Sequence, residues 1–229
     1  MNKAQQKSAE INVQAFYKVK RLLRVGMSEQ EIAALVKRVL LGEGAAKLAF
    51  PVIAALGSNA ADPHHKPGVR KARRGDMLVL DMGGVYQGFC SDMTRTLFFG
   101  QPKSVFRKWY AAVLEAQKRA YCGVRAGRTG ESVDAIARRY LERQGLGRPF
   151  IHSLGHGVGK KVHQAPWVTS NIKKGANVLQ SGNVITIEPG VYVKGRGGVR
   201  IEDMCEVLVD GGRWVVPQQR AISRMIMPN

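Results

Sequence analysis

Leu78-Val-Leu-Asp81-Met-Gly-Gly-Val-Tyr86 and Val184-Ile-Thr-Ile-Glu188-Pro-Gly-Val-Tyr192 repeat one pattern: an apolar strand that runs into a carboxylate, a break, and then Val-Tyr. A second echo lies upstream of each. Gly26-Met-Ser-Glu-Gln-Glu-Ile-Ala33 resembles Gly127-Arg-Thr-Gly-Glu-Ser-Val-Asp134, and each follows one helix and opens the next. Self-similarity of this kind marks a chain built from repeats of one supersecondary unit. Each half reads as two helices followed by antiparallel strands, an α+β arrangement with a site between the halves.

The spacing of apolar residues fills in the elements. Ile11, Ala15, Phe16, Val19, Leu22 and Leu23 recur at helical intervals and predict a helix over Ser8 to Leu23. Ser28 with Glu31 forms a capping box, which opens a second helix with Ile32, Leu35, Val36, Val39 and Leu40 on its apolar face, before Gly42. Ala46 to Leu56 reads as a strand. Beyond the turn-rich segment Gly57 to Gly75, three short strands are predicted over Met77 to Met82, Val85 to Cys90 and Thr94 to Phe99. Gly83-Gly84 joins the first two, which suggests a β-meander. Pro102 precedes a helix over Val105 to Cys122, Thr129 opens another over Val133 to Gln144, and Gly145 stops it. Strand-like segments then return to the end.

Composition sets the class. The 229 residues are 45% hydrophobic and 23% charged, the balance of an ordinary globular domain. No apolar stretch reaches the roughly 18 residues of a membrane span, and Pro51 interrupts the longest run. Met1 to Glu10 is polar, without the apolar segment of a secretory signal, so a cytoplasmic location is expected by default. Cys90, Cys122 and Cys205 show no CxxC spacing and read as buried reduced thiols. The net charge of +19 is compatible with a nucleic-acid partner. The basic residues are spread widely, without interleaved aromatics, so a generally basic surface is the first reading and a nucleic-acid site the second.

The acids and histidines carry the chemistry. Asp81 ends an apolar run and Asp92 precedes the next strand; Glu188 and Glu202 follow Val184–Ile187 and Val199–Ile201 in the same way. A carboxylate inside a sheet exposes itself, pairs, or binds a cation, and Arg95 is a candidate partner for Asp81 or Asp92. A single such acid is explained by water or an ion pair, whereas four at matched places argue for a shared cation. All five histidines fall in two places, His64-His65 and the segment holding His152, His156 and His163. The spacing of His152 and His156 would put both on one side of an extended strand. Gly155 and Gly157 permit close approach around His156. Asp81, Asp92, His156, Glu188 and Glu202 together suit two hard-to-intermediate divalent ions such as Mn²⁺. Such a pair, about 3.5 to 4 Å apart, makes hydroxide available near neutral pH, and the chemistry is then hydrolysis.

At these residues the sequence resembles the metallopeptidase family of aminopeptidase P, prolidase and methionine aminopeptidase. The resemblance runs through nearly the whole chain. It rests on Asn59-Ala-Ala-Asp-Pro-His64-His65-Lys-Pro67, Asp81-Met-Gly with Ser91-Asp92-Met-Thr-Arg-Thr96, His152-Ser-Leu-Gly-His156-Gly-Val-Gly159 with His163, Ile187-Glu188-Pro-Gly190, and Gly198-Val-Arg-Ile-Glu202-Asp203. It implies the pita-bread α+β fold, with two pseudo-symmetric halves of helices packed on a curved antiparallel sheet. It also implies metal ligands at Asp81, Asp92, His156, Glu188 and Glu202, with Asp92 and Glu202 bridging. Mn²⁺ is the first choice, with Co²⁺, Zn²⁺ or Fe²⁺ as alternatives. His64 matches a substrate-side histidine, His163 one that stabilises the tetrahedral intermediate, His152 a further active-site histidine, and Glu188 the proton shuttle. Arg200 is expected to orient Glu202 or another acidic ligand by a charge-assisted hydrogen bond.

The Ser-Asp-x-Thr-Arg-Thr and His-His-x-Pro elements look like the aminopeptidase P and prolidase branch. The implied activity is removal of an N-terminal residue from Xaa-Pro peptides by metal-activated hydroxide, with Xaa-Pro dipeptidase or methionine aminopeptidase-like cleavage as alternatives. Gln164 follows His163 where many relatives carry an acid. Gln164 to Ile187 contains no arginine of the kind thought to bind a dipeptide carboxylate in prolidases, with Lys173 and Lys174 as candidate substitutes, so the balance falls to the aminopeptidase. The large N-terminal domain usual in the branch has no counterpart, and residues 1–229 read as a single catalytic domain. The implied partner is a peptide substrate, not a membrane, and the implied state is a monomer or homodimer. The contrasting reading is a non-catalytic protein- or nucleic-acid-binding member of the fold, against which the intact ligand set argues.

Overall fold

Four helices frame the chain, three of them with a side-chain N-cap. The structure is a computed structural model that describes residues 1–170, 178–217 and 219–227. Helix α1 spans Lys3–Leu22, and its Asn2 cap accepts the Ala4 N–H at 2.8 Å. It begins five residues before the apolar periodicity suggests, because its first turns are buried through polar groups. Gln5 donates to the Val158 carbonyl at 2.7 Å, Ser8 to that of Gly84 at 3.0 Å, and Asn12 to that of Met82 at 2.8 Å. Helix α2 (Glu29–Gly42) carries the expected Ser28–Glu31 capping box. Helices α3 (Ser104–Cys122) and α4 (Gly130–Arg143, capped by Thr129) repeat the pair. Both pairs bury their apolar faces in one core with the sheets, through side chains such as Phe16, Ile32, Tyr110 and Leu141.

In the first half the strands are β1 (Lys47–Leu48), β2 (Ile53–Leu56), β3 (Met77–Met82), β4 (Gly84–Tyr86), β5 (Phe89–Cys90) and β6 (Met93–Phe99). The second half contributes β7 (Gly155–Gly157), β8 (Gln164–Val168), β9 (Val184–Ile187), β10 (Gly190–Val193), β11 (Gly197–Arg200), β12 (Asp203–Val207), β13 (Gly212–Trp214) and β14 (Ile226–Met227). The expected strand Ala46–Leu56 is two strands. Pro51, which lacks an N–H for a ladder, lies between them.

The expected β-meander is also absent. Strand β3 pairs with β6, Asp81 opposite Thr94, while β4 pairs with β1 and β5 in a separate sheet. At Gly83 the chain crosses itself so closely that a Cβ would lie 2.1 Å from the Ser91 carbonyl oxygen. Only glycine permits that approach, and the β4–β5 hairpin leaves the main sheet there. The second half repeats the device. Strand β9 pairs with β12, Ile187 opposite Asp203, and the β10–β11 hairpin between them forms its own two-stranded sheet. The repeated unit is therefore strand, detached hairpin, strand. Each of the four acids sits where the chain leaves or re-enters a main sheet.

Arg95, only 1% exposed, pairs with neither Asp81 nor Asp92. It reaches across to the second half, binding Asp203 at 2.5 Å and the Glu202 carbonyl at 2.6 Å. Asp203 also accepts from Arg220 at 2.6 Å and Gln117 at 3.0 Å, so the buried charge is fully engaged. Cys90 and Cys205 are buried as expected, but Cys122, on the last turn of α3, is exposed. Among the described residues no helix is long and apolar enough to cross a membrane.

Two buried acids, one per half, hold the loops that reach toward the centre. Glu29, with no exposed surface, accepts from the N–H groups of Leu56 (2.8 Å) and Gly68 (2.9 Å), from Asn59 (2.9 Å) and from His65 Nε2 (2.8 Å). In α4, Asp134 accepts the Leu154 N–H at 3.0 Å and both arms of Arg138, which in turn donates to the carbonyls of Phe150 and His152. Burial pushes the Glu29 carboxyl up, but the His65 bond and the two backbone N–H groups outweigh it and hold its pKa below the usual value. A depressed pKa gives stability that is complete above the unfolded value, about 4.3, and is lost as pH falls through the folded one. Glu29→Gln should therefore cost about 2 kcal/mol at pH 7 by turning an amide toward donors. In urea unfolding, the gap between wild type and variant should shrink below pH 4; a gap constant from pH 7 to pH 3 would contradict this account.

Candidate metal centre

The strand breaks converge on a cavity of about 490 Å³ lined by Asp81, Asp92, His156, Glu188 and Glu202. The ligating atoms of Asp81, Asp92 and Glu202 lie within 4.8 Å of one another, as do those of His156, Glu188 and Glu202, and those of Asp92, His156 and His163. His156 Nε2 is 3.3 Å from Glu188 Oε1 and 3.7 Å from Asp92 Oδ2. Its Nδ1 faces the Gly157 carbonyl at 3.2 Å and is a donor, while its Nε2 points at Glu188 and the cavity, donating to Glu188 as long as it carries a proton and offering a lone pair once it does not. Its backbone N–H donates to Thr186 Oγ1 at 3.0 Å, and the Thr186 hydroxyl donates to Glu188 at 3.1 Å. A Cβ on Gly155 would lie 2.1 Å from the Thr186 carbonyl oxygen, so glycine is required for β7 to approach β9 this closely.

The electrostatics of the cavity call for cations. Burial pushes the Asp92 carboxyl well up, and the charges of Glu202, Asp81 and Glu188 push it further. Glu202 is driven up in the same way, first by burial and then by Glu188 and Asp81. Burial also raises Asp81, with Arg200 opposing. Burial acts on Glu188 too, but the hydrogen bond from His156 and the surrounding positive charge hold it at about 2. Asp81 Oδ1 and Asp92 Oδ1 are buried without a hydrogen-bond partner. An orphaned acceptor of this kind costs about 1–3 kcal/mol, and more when charged. Divalent ions would satisfy both oxygens and relieve the repulsion, so the residues fit such ions.

Arg200 binds Asp81 Oδ2 at 2.6 Å, so the acid it orients directly is Asp81. It reaches Glu202 through Thr94: Nε donates to Thr94 Oγ1 at 2.9 Å, and that hydroxyl donates to Glu202 Oε2 at 2.5 Å. A third arm donates to the Tyr192 hydroxyl oxygen at 2.9 Å. Tyr192 and Thr94 are functional-site residues that sequence reasoning does not single out. The signals that point to them are the echo of Tyr86 in Tyr192 and the place of Thr94 in the Ser91-Asp92-Met-Thr-Arg-Thr96 motif, neither of which names a role.

The histidines differ in what they can do. His152 shares the cavity with His156, but from a bend before β7 and not from one strand face. Its Nδ1 lies 2.7 Å from the Ser153 carbonyl and its Nε2 2.9 Å from the Tyr192 hydroxyl. Since Arg200 donates to that hydroxyl, the tyrosine proton points at Nε2. Burial lowers the His152 pKa, with Arg200 adding to it. Both nitrogens are thus engaged in a neutral ring. His64 and His163 are exposed at the cavity edge, and the His163 ring stands 4.3 Å from that of His156. Lys173 and Lys174 lie outside the described residues.

The chain matches metallopeptidase family M24 over residues 3–208. It is 39% identical over 217 residues to the Xaa-Pro dipeptidase of Pyrococcus furiosus, a match covering 95% of this chain and 62% of that protein. Among solved structures it is similar to an X-Pro aminopeptidase from Thermotoga maritima MSB8, at TM-score 0.92 and 36% identity. It is equally similar to an Xaa-Pro dipeptidase from Bacillus anthracis, at TM-score 0.93 and 36% identity. Each structural match covers 98% of this chain and 62% of the other. The chain therefore spans 62% of the length of these relatives. Such agreement in sequence and pita-bread topology, around a cavity whose donors suit divalent ions, establishes that the chain belongs to metallopeptidase family M24.

Proposed function

We propose that residues 1–229 form the catalytic unit of a dinuclear-metal peptidase that removes the N-terminal residue from Xaa-Pro peptides. The observation that carries this reading is the convergence of Asp81, Asp92, His156, Glu188 and Glu202 on one buried cavity, with two carboxylate oxygens lacking any partner. These five would hold the ions, and four carboxylates beside one imidazole favour Mn²⁺ over softer choices. The chemistry that such ions supply is Lewis acidity toward the scissile carbonyl and acidification of a water.

The protein's own groups do the rest. Arg200 holds Asp81 by Oδ2, so that Oδ1 faces the cavity, and steadies Glu202 through Thr94. Glu188, ionised at neutral pH, takes a proton from the attacking water and returns it to the leaving nitrogen. His163 donates toward the oxygen on which negative charge develops, and His64 faces the substrate across the cavity. His152 has no free nitrogen and serves to hold Tyr192 in place. Phe50, Val52 and Trp167 give the cavity an apolar wall suited to a proline ring. The Xaa-Pro class itself is supported by the names of the relatives. A dipeptidase reading is favoured by Lys66, an exposed ammonium on the cavity that is placed to meet a substrate carboxylate.

Chelator-stripped protein reloaded with Mn²⁺ should cleave an Xaa-Pro-Xaa tripeptide in preference to an Xaa-Pro dipeptide, and leave a Met-Ala peptide intact. Asp81→Ala and His156→Ala should abolish turnover, while Arg200→Lys should weaken metal binding about 10- to 100-fold. Unchanged activity in the two alanine variants, or no cleavage with Mn²⁺, Co²⁺, Zn²⁺ or Fe²⁺, would hand the lead to a non-catalytic role.

Metal should also appear in stability. Ions at a hundred times their dissociation constant add about 2.7 kcal/mol, which for a chain of this size raises Tm by about 5–10 °C. Without ions, the raised pKa values of Asp92 and Glu202 mean that the folded state binds more protons than the unfolded one. Stability of the stripped protein should then fall as pH rises above the ordinary carboxylate range, and Mn²⁺ should remove that slope. Melting curves with and without chelator test this; a Tm insensitive to both would contradict it.

A further inference from the structure

Strand β6 begins beside the cavity and ends somewhere quite different. Asp92 lies just before it and Phe99 closes it, seven residues on, or about 23 Å along the strand. Phe99 lines a second recess, of about 1250 Å³, whose other walls are the end of α1, the turn before β3 and the C-terminal segment. Lys20, Arg21, Arg24, Arg74 and Arg224 all line it, and no acid does among the described residues. It shares no residue with the catalytic cavity.

Some exposed cations elsewhere have acidic partners, as Lys18 has Glu43, Arg119 has Glu115 and Arg213 has Glu206; the groove is distinguished by five cations from three elements that line one recess with no acid among its described lining residues. None of the five groove cations forms an ion pair among the described residues. Cations at a helix C-terminus are ordinary because they meet its dipole. This accounts for Lys20, Arg21 and Arg24, and Arg24 indeed donates to the carbonyls of Arg21 and Leu23. It does not account for Arg74 and Arg224, which arrive from other elements. Lys20 donates to the Arg224 carbonyl, and burial together with the Arg224 charge lowers its pKa, so like charges stand together here uncompensated.

We propose that this groove binds a phosphodiester chain, held through its phosphates without readout of the bases. Four of the five cations are arginines, whose planar fork matches phosphate oxygens two at a time. The recess exceeds the roughly 300–1,000 Å³ of a small-molecule pocket, as a segment of polymer requires, and its concavity suits a strand better than a flat lipid surface. Of the two aromatics on the groove, Phe99 is 4% exposed and Tyr17 is half-buried with its ring edge-on to Phe16, so no row of open ring faces is offered for stacking successive bases.

The test is binding of a labelled single-stranded oligonucleotide to the full chain at several salt concentrations, with inorganic polyphosphate and polyglutamate as competitors. Affinity should fall steeply with salt, and polyphosphate should displace the oligonucleotide where polyglutamate at equal charge does not. Arg21→Gln/Arg24→Gln/Arg74→Gln, all at exposed positions, should lower affinity at least tenfold. That variant should also make the log–log salt slope shallower by about 2, near 0.7 per lost phosphate contact, while circular dichroism stays unchanged. A control of equal charge, Lys108→Gln/Arg139→Gln/Arg143→Gln, should change affinity less than twofold. The single variants Arg21→Gln and Arg74→Gln, each expected to lower affinity two- to fivefold, carry the test if the triple variant fails to fold. Equal losses in both triples would reduce the effect to overall charge and overturn the proposal. A flat salt response would overturn it as well, and effective competition by polyglutamate would replace it with an acidic-peptide site.

Discussion

Mutual repulsion among four carboxylates, three of them buried and Glu188 half-buried, is the constraint around which this structure is arranged. Asp81, Asp92, Glu188 and Glu202 are brought to one cavity by β3, β6, β9 and β12, strands whose side chains are largely buried. One guanidinium, that of Arg200, is wired to two of them, directly to Asp81 and through Thr94 to Glu202. One formal positive charge beside four negative ones leaves a deficit that the protein does not fill with its own side chains, despite a net charge of +19. Divalent ions held by the donors of the cavity would fill that deficit.

The fold makes this crowding tolerable by placing each acid at a discontinuity. A carboxylate in the middle of a ladder would sit among its neighbours' apolar side chains. Where the hairpins β4–β5 and β10–β11 peel away, the backbone turns and the side chain at the break points into the gap between sheets. Gly83 makes the first departure sterically feasible, and Pro189-Gly190 stands at the equivalent place in the second half. The Arg95–Asp203 pair, buried and reinforced by Gln117 and Arg220, then ties β6 to β12 and fixes the spacing of the two breaks. Breaking one partner of such a pair generally costs about 3–5 kcal/mol, so the linkage between the halves is stiff where the geometry of the centre depends on it.

Much of this is legible in the sequence because it violates expectation. A charge at the end of an apolar run is conspicuous, and four in two matched halves single out Asp81, Asp92, Glu188 and Glu202 from the amino-acid order alone. Caps such as Ser28–Glu31 are equally local, and they mark the starts of α2 and α4. What stays hidden is long-range or polar. Strand signals do not say which strands pair, so β3 and β4 read as neighbours although β3 lies against β6. Arg95 finds its partner 108 residues away, beyond the nearby acids that its position suggests. The start of α1 escapes notice because Gln5, Ser8 and Asn12 are buried by hydrogen bonding, which apolar periodicity does not register.

Tyr192 shows why supporting residues are harder to read than the acids they serve. A buried tyrosine on a strand is unremarkable by composition, and its role follows only from direction. Arg200 can donate but never accept, so the Tyr192 oxygen must be the acceptor and its proton must go to His152. The Ser153 carbonyl can only accept, so His152 carries its own proton on Nδ1. From a guanidinium at one end to a carbonyl at the other, every proton in the chain has a single allowed position. The same guanidinium sets the orientation of Asp81, and through Pro63 it touches the loop that carries His64. Held by four hydrogen bonds that reach Thr94, Tyr192, Asp81 and the Pro63 carbonyl, Arg200 transmits geometry from one wall of the cavity to the other.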